Sequence, residues 1–103
     1  MTEARLDSLI HPPQRLQIMA VLAGVQDAEF ALLRQTVGVS DSVLSKHLSL
    51  LADAGYIRMS KSARDGRQRT WASITRQGRA VFAAHVAALQ ALVSVADLAT
   101  AAE

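Results

Sequence analysis

The sequence predicts one α+β domain, mainly α-helical, in which a helix-turn-helix is followed by a β-hairpin. Three observations support this prediction: helical apolar spacing over most of the chain, a change to two-residue alternation at Tyr56–Lys61, and a turn signal at Asp65-Gly66. The length of 103 residues suits a single domain. We assign the helix-turn-helix to 29–54, the hairpin to 56–75, and dimerisation helices to 1–11 and 80–103, all within one domain of residues 1–103.

Two adjacent prolines divide the first helical segments. Pro12 and Pro13 would break a helix that runs through Ile10, because proline lacks a backbone N–H and restricts the residue before it. We therefore expect a short helix at about 4–10. Pro13 suits the first turn of a second helix, which ends before Gly24.

The next two helices form the predicted helix-turn-helix. One runs from Glu29 to Val37 and ends at Gly38, a residue that favours a left-handed cap. Ser40 then suits the N-cap of the following helix, which ends before Gly55. The residues predicted to form its buried face are Val43, Leu44, Leu48 and Leu51. Two helices joined by a tight glycine-containing turn match a helix-turn-helix.

A hairpin and a long helix complete the chain. The alternating segment Tyr56–Lys61 and its return at Arg69–Ile74 flank the Asp65-Gly66 turn. If Ala72 and Ile74 face the core, alternation turns Trp71 outward, where packing is more plausible than base stacking. Thr75 suits the N-cap of the last helix. This element order predicts a winged helix-turn-helix, with the two-stranded hairpin as the wing.

Charge is concentrated in the middle of the chain. Residues 1–45 carry three basic and five acidic side chains (net −2), residues 46–79 carry eight and two (net +6), and residues 80–103 carry two acidic side chains (net −2). A basic centre between acidic ends indicates a surface that faces a polyanion. A solvated charged loop is the alternative interpretation.

The candidate DNA contacts lie on the fourth helix and the hairpin. An α-helix fits the major groove, and a basic hairpin can contact the phosphate backbone or enter the minor groove. The helix candidates are Ser40, Ser42, Ser45, Lys46, His47 and Ser49. The wing candidates are Lys61, Arg64, Arg67 and Arg69, opposed in sequence by Asp65 alone. The helix lacks Arg, Asn and Gln, so base discrimination is expected to be modest.

Two amphipathic segments at the ends of the chain predict a homodimer. Leu6, Leu9 and Ile10 form an apolar stripe before the prolines, and a 3.5-residue seam follows the last helix. The seam residues assigned to the interface are Phe82, Val86, Leu89 and Val93. We infer that both segments pair across a two-fold axis; packing within one chain is the alternative.

Several function classes are disfavoured. The chain has no cysteine, its three histidines are far apart, and no catalytic motif is visible, so we expect no metal, no cofactor and no enzymatic activity. Charged residues near the N-terminus argue against a signal peptide. No apolar run reaches the ~18 residues of a membrane span. We therefore expect a cytoplasmic protein that does not enter membranes.

Three stretches carry a family resemblance: Ala54–Ile57, Val43–Leu48 with Leu51, and Ile74–Arg79. Together with Leu9–Pro12 and Arg15 they resemble short winged-helix regulators of the MarR/ArsR type, over roughly residues 6–90. The resemblance implies a dimeric regulator of transcription that binds double-stranded DNA, often a repressor, and would let His47 touch a phosphate. Two alternatives remain: a protein-binding module, and a regulator with an effector at the dimer interface, which the sequence does not identify.

Overall fold

The structure, a computed structural model, describes residues 4–101 and confirms the predicted fold class. Its helices are α1 (Pro13–Ala23), α2 (Phe30–Val37), α3 (Asp41–Asp53) and α4 (Arg76–Ala101). Its strands are β1 (Ala28–Glu29), β2 (Ile57–Arg64) and β3 (Arg67–Ile74). The strands form one antiparallel sheet in the order β1-β3-β2.

The N-terminal segment is not a helix, so the prediction of a helix at 4–10 was wrong. Residues 4–7 are irregular and residues 8–10 form a turn. The Asp7 carboxylate accepts hydrogen bonds from the backbone N–H of Leu9 (2.8 Å) and Ile10 (3.3 Å). An aspartate that bonds the backbone just after it stabilises a turn in competition with a helix. Ile10 consequently enters the core and is fully buried.

The helix-turn-helix forms as predicted, with one correction. Gly38 ends α2 in the left-handed region (φ +75°), and the Ser40 hydroxyl caps α3 by accepting from the Val43 N–H at 3.2 Å. Leu44, Leu48 and Leu51 are buried at spacings of four and three residues. Val43 was assigned to this buried face, but it is 40% exposed. It lies one position before Leu44, a step that turns about 100° around the helix.

The core lies between the helices and one face of the sheet. Helices α1 to α3 and all three strands supply buried apolar side chains, and α4 adds the partly buried Val81 and Phe82. The buried core residues are Ile10, Ile18, Met19, Leu22, Ala28, Leu33, Leu44, Leu48, Leu51, Ile57 and Ala72.

The sheet contains a strand that the sequence did not predict. The hairpin is longer than expected, and Asp65 (φ 56°) and Gly66 (φ 76°) form its turn in the left-handed region that two-residue hairpins favour. The added strand, β1, pairs Ala28 with Ala72 and Glu29 with Trp71. Two residues are too few to show a two-residue alternation, which explains the omission.

Helix α4 begins in the domain and then leaves it. The Thr75 hydroxyl caps it by accepting from the Gly78 N–H at 3.0 Å, as predicted. Gly78 and His85 are buried, whereas Leu92, Val93, Val95 and Leu98 are 56–71% exposed. The principal extents of 61 × 29 × 21 Å reflect this projecting helix.

The same helix is long and apolar enough to cross a membrane. Its most apolar 18-residue window has a mean hydropathy of 1.7, and 11% of that window is buried. By length and composition, the prediction that no such segment exists was therefore wrong. The first part of α4 nevertheless packs into the domain, through Gly78 and His85.

Candidate nucleic-acid interface

The outer face of α3 is polar and uncovered. Ser42, Lys46 and Ser49 are spaced by four and three residues, so they share the side opposite the buried leucines. All three are exposed, which leaves hydroxyl groups and one ammonium group accessible along about two turns of the helix. The predicted contact face is thus accessible over its length.

A cleft separates α3 from the wing. Asp41, Ser45 and Ser49 line it from α3, and Met59 and Thr70 line it from the hairpin. The predicted contact residue Ser45 therefore points along the wing side of α3. The helix and the hairpin stand side by side, and the apolar side chains of Phe30, Leu48 and Met59 also line the cleft between them.

The start of α3 has a nearly balanced charge. The Asp41 carboxylate receives a salt bridge from Arg34 of α2 at 3.3 Å, and both side chains are substantially exposed. The Ser40 hydroxyl is used as the cap and lies 3.3 Å from the Ser42 hydroxyl. Arg34 offsets the acidic side chain that the sequence places at this helix end.

His47 braces α3 against α1. Its Nδ1 atom lies 3.2 Å from an Arg15 guanidinium nitrogen, and its Nε2 atom lies 2.8 Å from the Gln14 amide oxygen. The guanidinium of Arg15 can only donate, so the Nδ1 atom of His47 accepts its hydrogen bond. The Nε2 atom therefore carries the ring proton and donates a hydrogen bond to the Gln14 amide oxygen. Burial, together with the charges of Arg15 and Lys46, lowers the pKa of His47, which favours this neutral form.

The Arg64 side chain is held at the side of the wing. It donates to the Asp27 carboxylate at 3.0 Å, and its guanidinium lies 3.6 Å from the centroid of the Trp71 ring. Trp71 is half-buried, and this cation–π contact covers its ring. The Trp71 Nε1 atom is buried without a hydrogen-bond partner among the described residues.

Arg69 is also paired within the chain. One of its guanidinium nitrogens donates to both carboxylate oxygens of Glu29, at 2.9 and 3.0 Å. The sequence prediction that Asp65 alone opposes the wing cations was therefore wrong, because β1 brings Asp27 and Glu29 beside them. Only the strand pairing reveals these partners, which lie about 40 residues away in sequence.

Lys61 and Arg67 differ from the two paired arginines. Both are exposed, and neither forms a salt bridge within residues 4–101. Lys61 pairs in register with Thr70, a residue of the cleft, so it projects on the α3 side of the hairpin. Arg67 follows the turn at the tip and is paired in register with Arg64.

The terminal segments divide into inward and outward residues. Ile10 is fully buried, which corrects its assignment to the dimer interface, and Leu9 and Phe82 pack against the core of their own chain. The predicted interface residues that remain outward are Leu6 (48% exposed), Val93 (62% exposed) and the half-buried Val86 and Leu89. The described residues contain no cluster of three potential metal ligands.

These features define a winged-helix DNA-binding domain, and the chain belongs to that family. The family model described as "Winged helix DNA-binding domain" matches residues 14–93. A curated relative is the uncharacterized protein MJ0432 of Methanocaldococcus jannaschii. It is 35% identical over 68 residues, which cover 66% of this chain and 74% of the relative.

Solved structures share the fold. A transcriptional regulator homologue from Pyrococcus horikoshii OT3 superposes with a TM-score of 0.81 at 26% identity, covering 86% of this chain and 88% of the other. A putative transcriptional regulator of the MarR family from Enterococcus faecalis V583 gives a TM-score of 0.76 at 18% identity, with coverages of 93% and 86%. The resemblance to MarR-type winged-helix regulators is thus confirmed at the level of fold.

Proposed function

We propose that this protein binds double-stranded DNA as a homodimer in the cytoplasm and regulates transcription, acting as a repressor by occupying its site. The observation that carries the proposal is the uncovered polar face of α3 beside a basic hairpin. In this proposal Ser42, Lys46 and Ser49, which are exposed, enter the major groove. Family membership and the regulator-like structural relatives support the same function.

The wing divides its cations between two roles. Lys61 and Arg67 contact phosphates, because they are exposed and no carboxylate of residues 4–101 forms a salt bridge with them. Arg64 and Arg69 set the angle of the hairpin through Asp27 and Glu29. His47 plays the equivalent role for α3, which it holds against Gln14 and Arg15.

The projecting half of α4 supplies the dimer contact. Leu92, Val93, Val95 and Leu98 leave a large apolar surface uncovered in the single chain. A second copy is the occupant we propose, because operators with two-fold symmetry require a dimer and the helix is uncharged from residue 80 to 96. Two α3 helices would then read two half-sites.

Selection of bound genomic fragments by the purified protein, followed by footprinting, tests this function. We expect a two-fold footprint whose half-sites are about 34 Å apart, one turn of the duplex. Affinity should fall steeply with salt, by about 0.9 logarithmic units per logarithmic unit of salt for each phosphate contacted. No enriched fragments, together with salt-insensitive association, would contradict DNA binding and favour a protein-binding module.

The division of labour within the wing gives a separate prediction. Arg67→Ala should weaken binding to all duplexes and reduce the salt slope by about 0.9 per subunit, because one phosphate contact is lost. Asp27→Asn should leave that slope unchanged and weaken binding only through a less rigid wing. If Asp27→Asn instead steepens the salt slope, Arg64 contacts a phosphate once it is released from Asp27, and its role in the wild type is not to set the angle of the hairpin. Fluorescence anisotropy across a salt series measures both slopes.

A further inference from the structure

A buried polar cluster joins the N-terminal segment to α4 and to the end of the helix-turn-helix. His85 on α4 is fully buried, and its Nδ1 atom accepts from the Asp7 N–H at 2.9 Å. The Asp7 carboxylate accepts from the Tyr56 hydroxyl at 2.6 Å. The Arg5 N–H donates to the Ala84 carbonyl at 3.0 Å, which adds a second link between this segment and α4.

The hydrogen bonds fix the protonation state of His85. Because Nδ1 accepts from a backbone N–H, the proton of the neutral ring is on Nε2. Nε2 then donates to the Nδ1 atom of His11 at 3.2 Å, and the two rings meet edge to face with centroids 5.2 Å apart. His85 therefore uses one acceptor and one donor, and its neutral form satisfies both partners.

Protonation of His85 would break this arrangement. An imidazolium has two donors, so its Nδ1–H would face the Asp7 N–H, donor against donor. The groups that face it are the His11 ring and the Asp7 carboxylate of the N-terminal segment, with Tyr56 bound to that carboxylate and Arg5 near Tyr56. Burial lowers the pKa of His85 most, His11 lowers it further, and Asp7 raises it.

We propose that residues 5–11 form a proton-operated latch, in which protonation of His85 releases the segment from α4 and weakens DNA binding by the dimer. The latch deepens the proposed function and rests on it for the DNA step. Release affects DNA binding because the segment touches the base of α4 and Tyr56, which is the third residue after α3, and seats Ile10 in the core. When the segment is released, α4, which carries the proposed dimer contact, is held less firmly against the domain that contains α3.

The sign of the pH dependence follows from linkage. The unlatched His85 takes up its proton near its ordinary pKa of about 6.5, above the pKa in the latched state. The latch is therefore stable above this pH and weakens as pH falls below it, by at most about tenfold per pH unit because one proton is involved. Burial raises the pKa of Asp7, but the hydrogen bonds from Tyr56 and from the backbone together outweigh it and lower the pKa from 3.8, so Asp7 acts only at lower pH.

Nuclear magnetic resonance of the full chain tests the latch without DNA. Between pH 7.5 and 5.5 we expect the His85 ring nitrogens to titrate and the Asp7 amide to lose hydrogen-exchange protection in parallel, by several-fold. His85→Gln should abolish the pH dependence of that protection. His47→Gln, the control at the other histidine with a lowered pKa, should leave it intact. An Asp7 amide that stays protected while His85 is protonated would overturn the latch, and the wild-type protein alone gives this result.

A second measurement tests the coupling to DNA. At constant salt, acidification should weaken binding of the wild type several-fold and of His85→Gln less. Added positive charge alone would strengthen binding to phosphates, so the sign separates the two effects. Unchanged or tighter binding of the wild type at pH 5.5 would overturn the coupling. Absence of binding already at pH 7.5 would instead refute the proposed function, while the exchange result would still stand.

Discussion

Placing two glutamates in the projecting part of α4, as Leu92→Glu with Val93→Glu, is expected to convert the protein to a monomer. Both residues are more than half exposed in the single chain, so the charges cost its fold little. In a dimer the same positions would be buried, and unpaired buried carboxylates are strongly unfavourable. Because two linked half-site contacts would become independent, DNA affinity should fall by about 10²–10⁴.

The helix itself provides a matched control. Gln90 and Ser94 are exposed and four residues apart, so they share one face of α4, which lies opposite Leu92. Gln90→Glu with Ser94→Glu adds the same charge to the same helix and should leave the dimer and its DNA affinity nearly unchanged. Sedimentation velocity and anisotropy measure the two properties. If the apolar double variant remains dimeric, the projecting half of α4 is not the interface.

The same pair of variants distinguishes a second copy from a lipid bilayer as the cover of α4. The helix has the length and hydropathy of a membrane span, so vesicles are a necessary comparison. We expect the wild type to stay in the supernatant when centrifuged with neutral vesicles. If the wild type and the Gln90/Ser94 variant instead cosediment with the vesicles and the Leu92/Val93 variant does not, this surface binds a membrane.

How well each element of the fold could be predicted depended on the length of its sequence pattern. The α3 helix was recognisable because Leu44, Leu48 and Leu51 repeat at helical spacing and Ser40 and Gly55 bound them. The hairpin was recognisable because alternation and the Asp65-Gly66 turn coincide. The apolar stripe of Leu6, Leu9 and Ile10 led to the wrong prediction of an N-terminal helix, because its spacing fits a helical face. The segment is instead a turn, which the hydrogen bonds of Asp7 to the local backbone and to the distant Tyr56 stabilise.

The candidate site was predictable in its residue types but not in its pairing. Sequence identified the basic wing, yet the partners of Arg64 and Arg69 lie about 40 residues away and depend on a two-residue strand. The same holds for His47, whose partners are on α1. Contacts between distant elements set which cations remain available, and no local spacing encodes them.

Gly78 marks another contact that sequence patterns did not reveal. It lies in the first turn of α4, where α4 passes close to the backbone that follows α3. An added Cβ would overlap the Tyr56 carbonyl oxygen and lie 2.9 Å from its carbonyl carbon and 3.0 Å from Ile74. The Tyr56 carbonyl is fixed, because it accepts from the Thr75 N–H at 3.0 Å. Only glycine allows this approach.

Gly78→Ala should therefore lower the free energy of unfolding by about 1–3 kcal/mol, the usual cost of overpacking a fixed site. In a domain of about 100 residues, each kcal/mol corresponds to a fall of about 4–8 °C in Tm. The better helix propensity of alanine opposes the loss by only about 1 kcal/mol. Thermal unfolding followed by circular dichroism measures the shift, at a fixed protein concentration because dimerisation affects Tm.

Gly24→Ala is the control for this substitution. Gly24 ends α1 with a negative φ of −96°, and the nearest atom to an added Cβ is 3.7 Å away, an ordinary contact distance. The change should be neutral or stabilise by up to about 1 kcal/mol, through a less flexible unfolded chain. Equal Tm values for the two variants would mean that α4 can shift away from Tyr56 without cost. In that case the close approach of α4 to the Tyr56 carbonyl would contribute little to the stability of the domain.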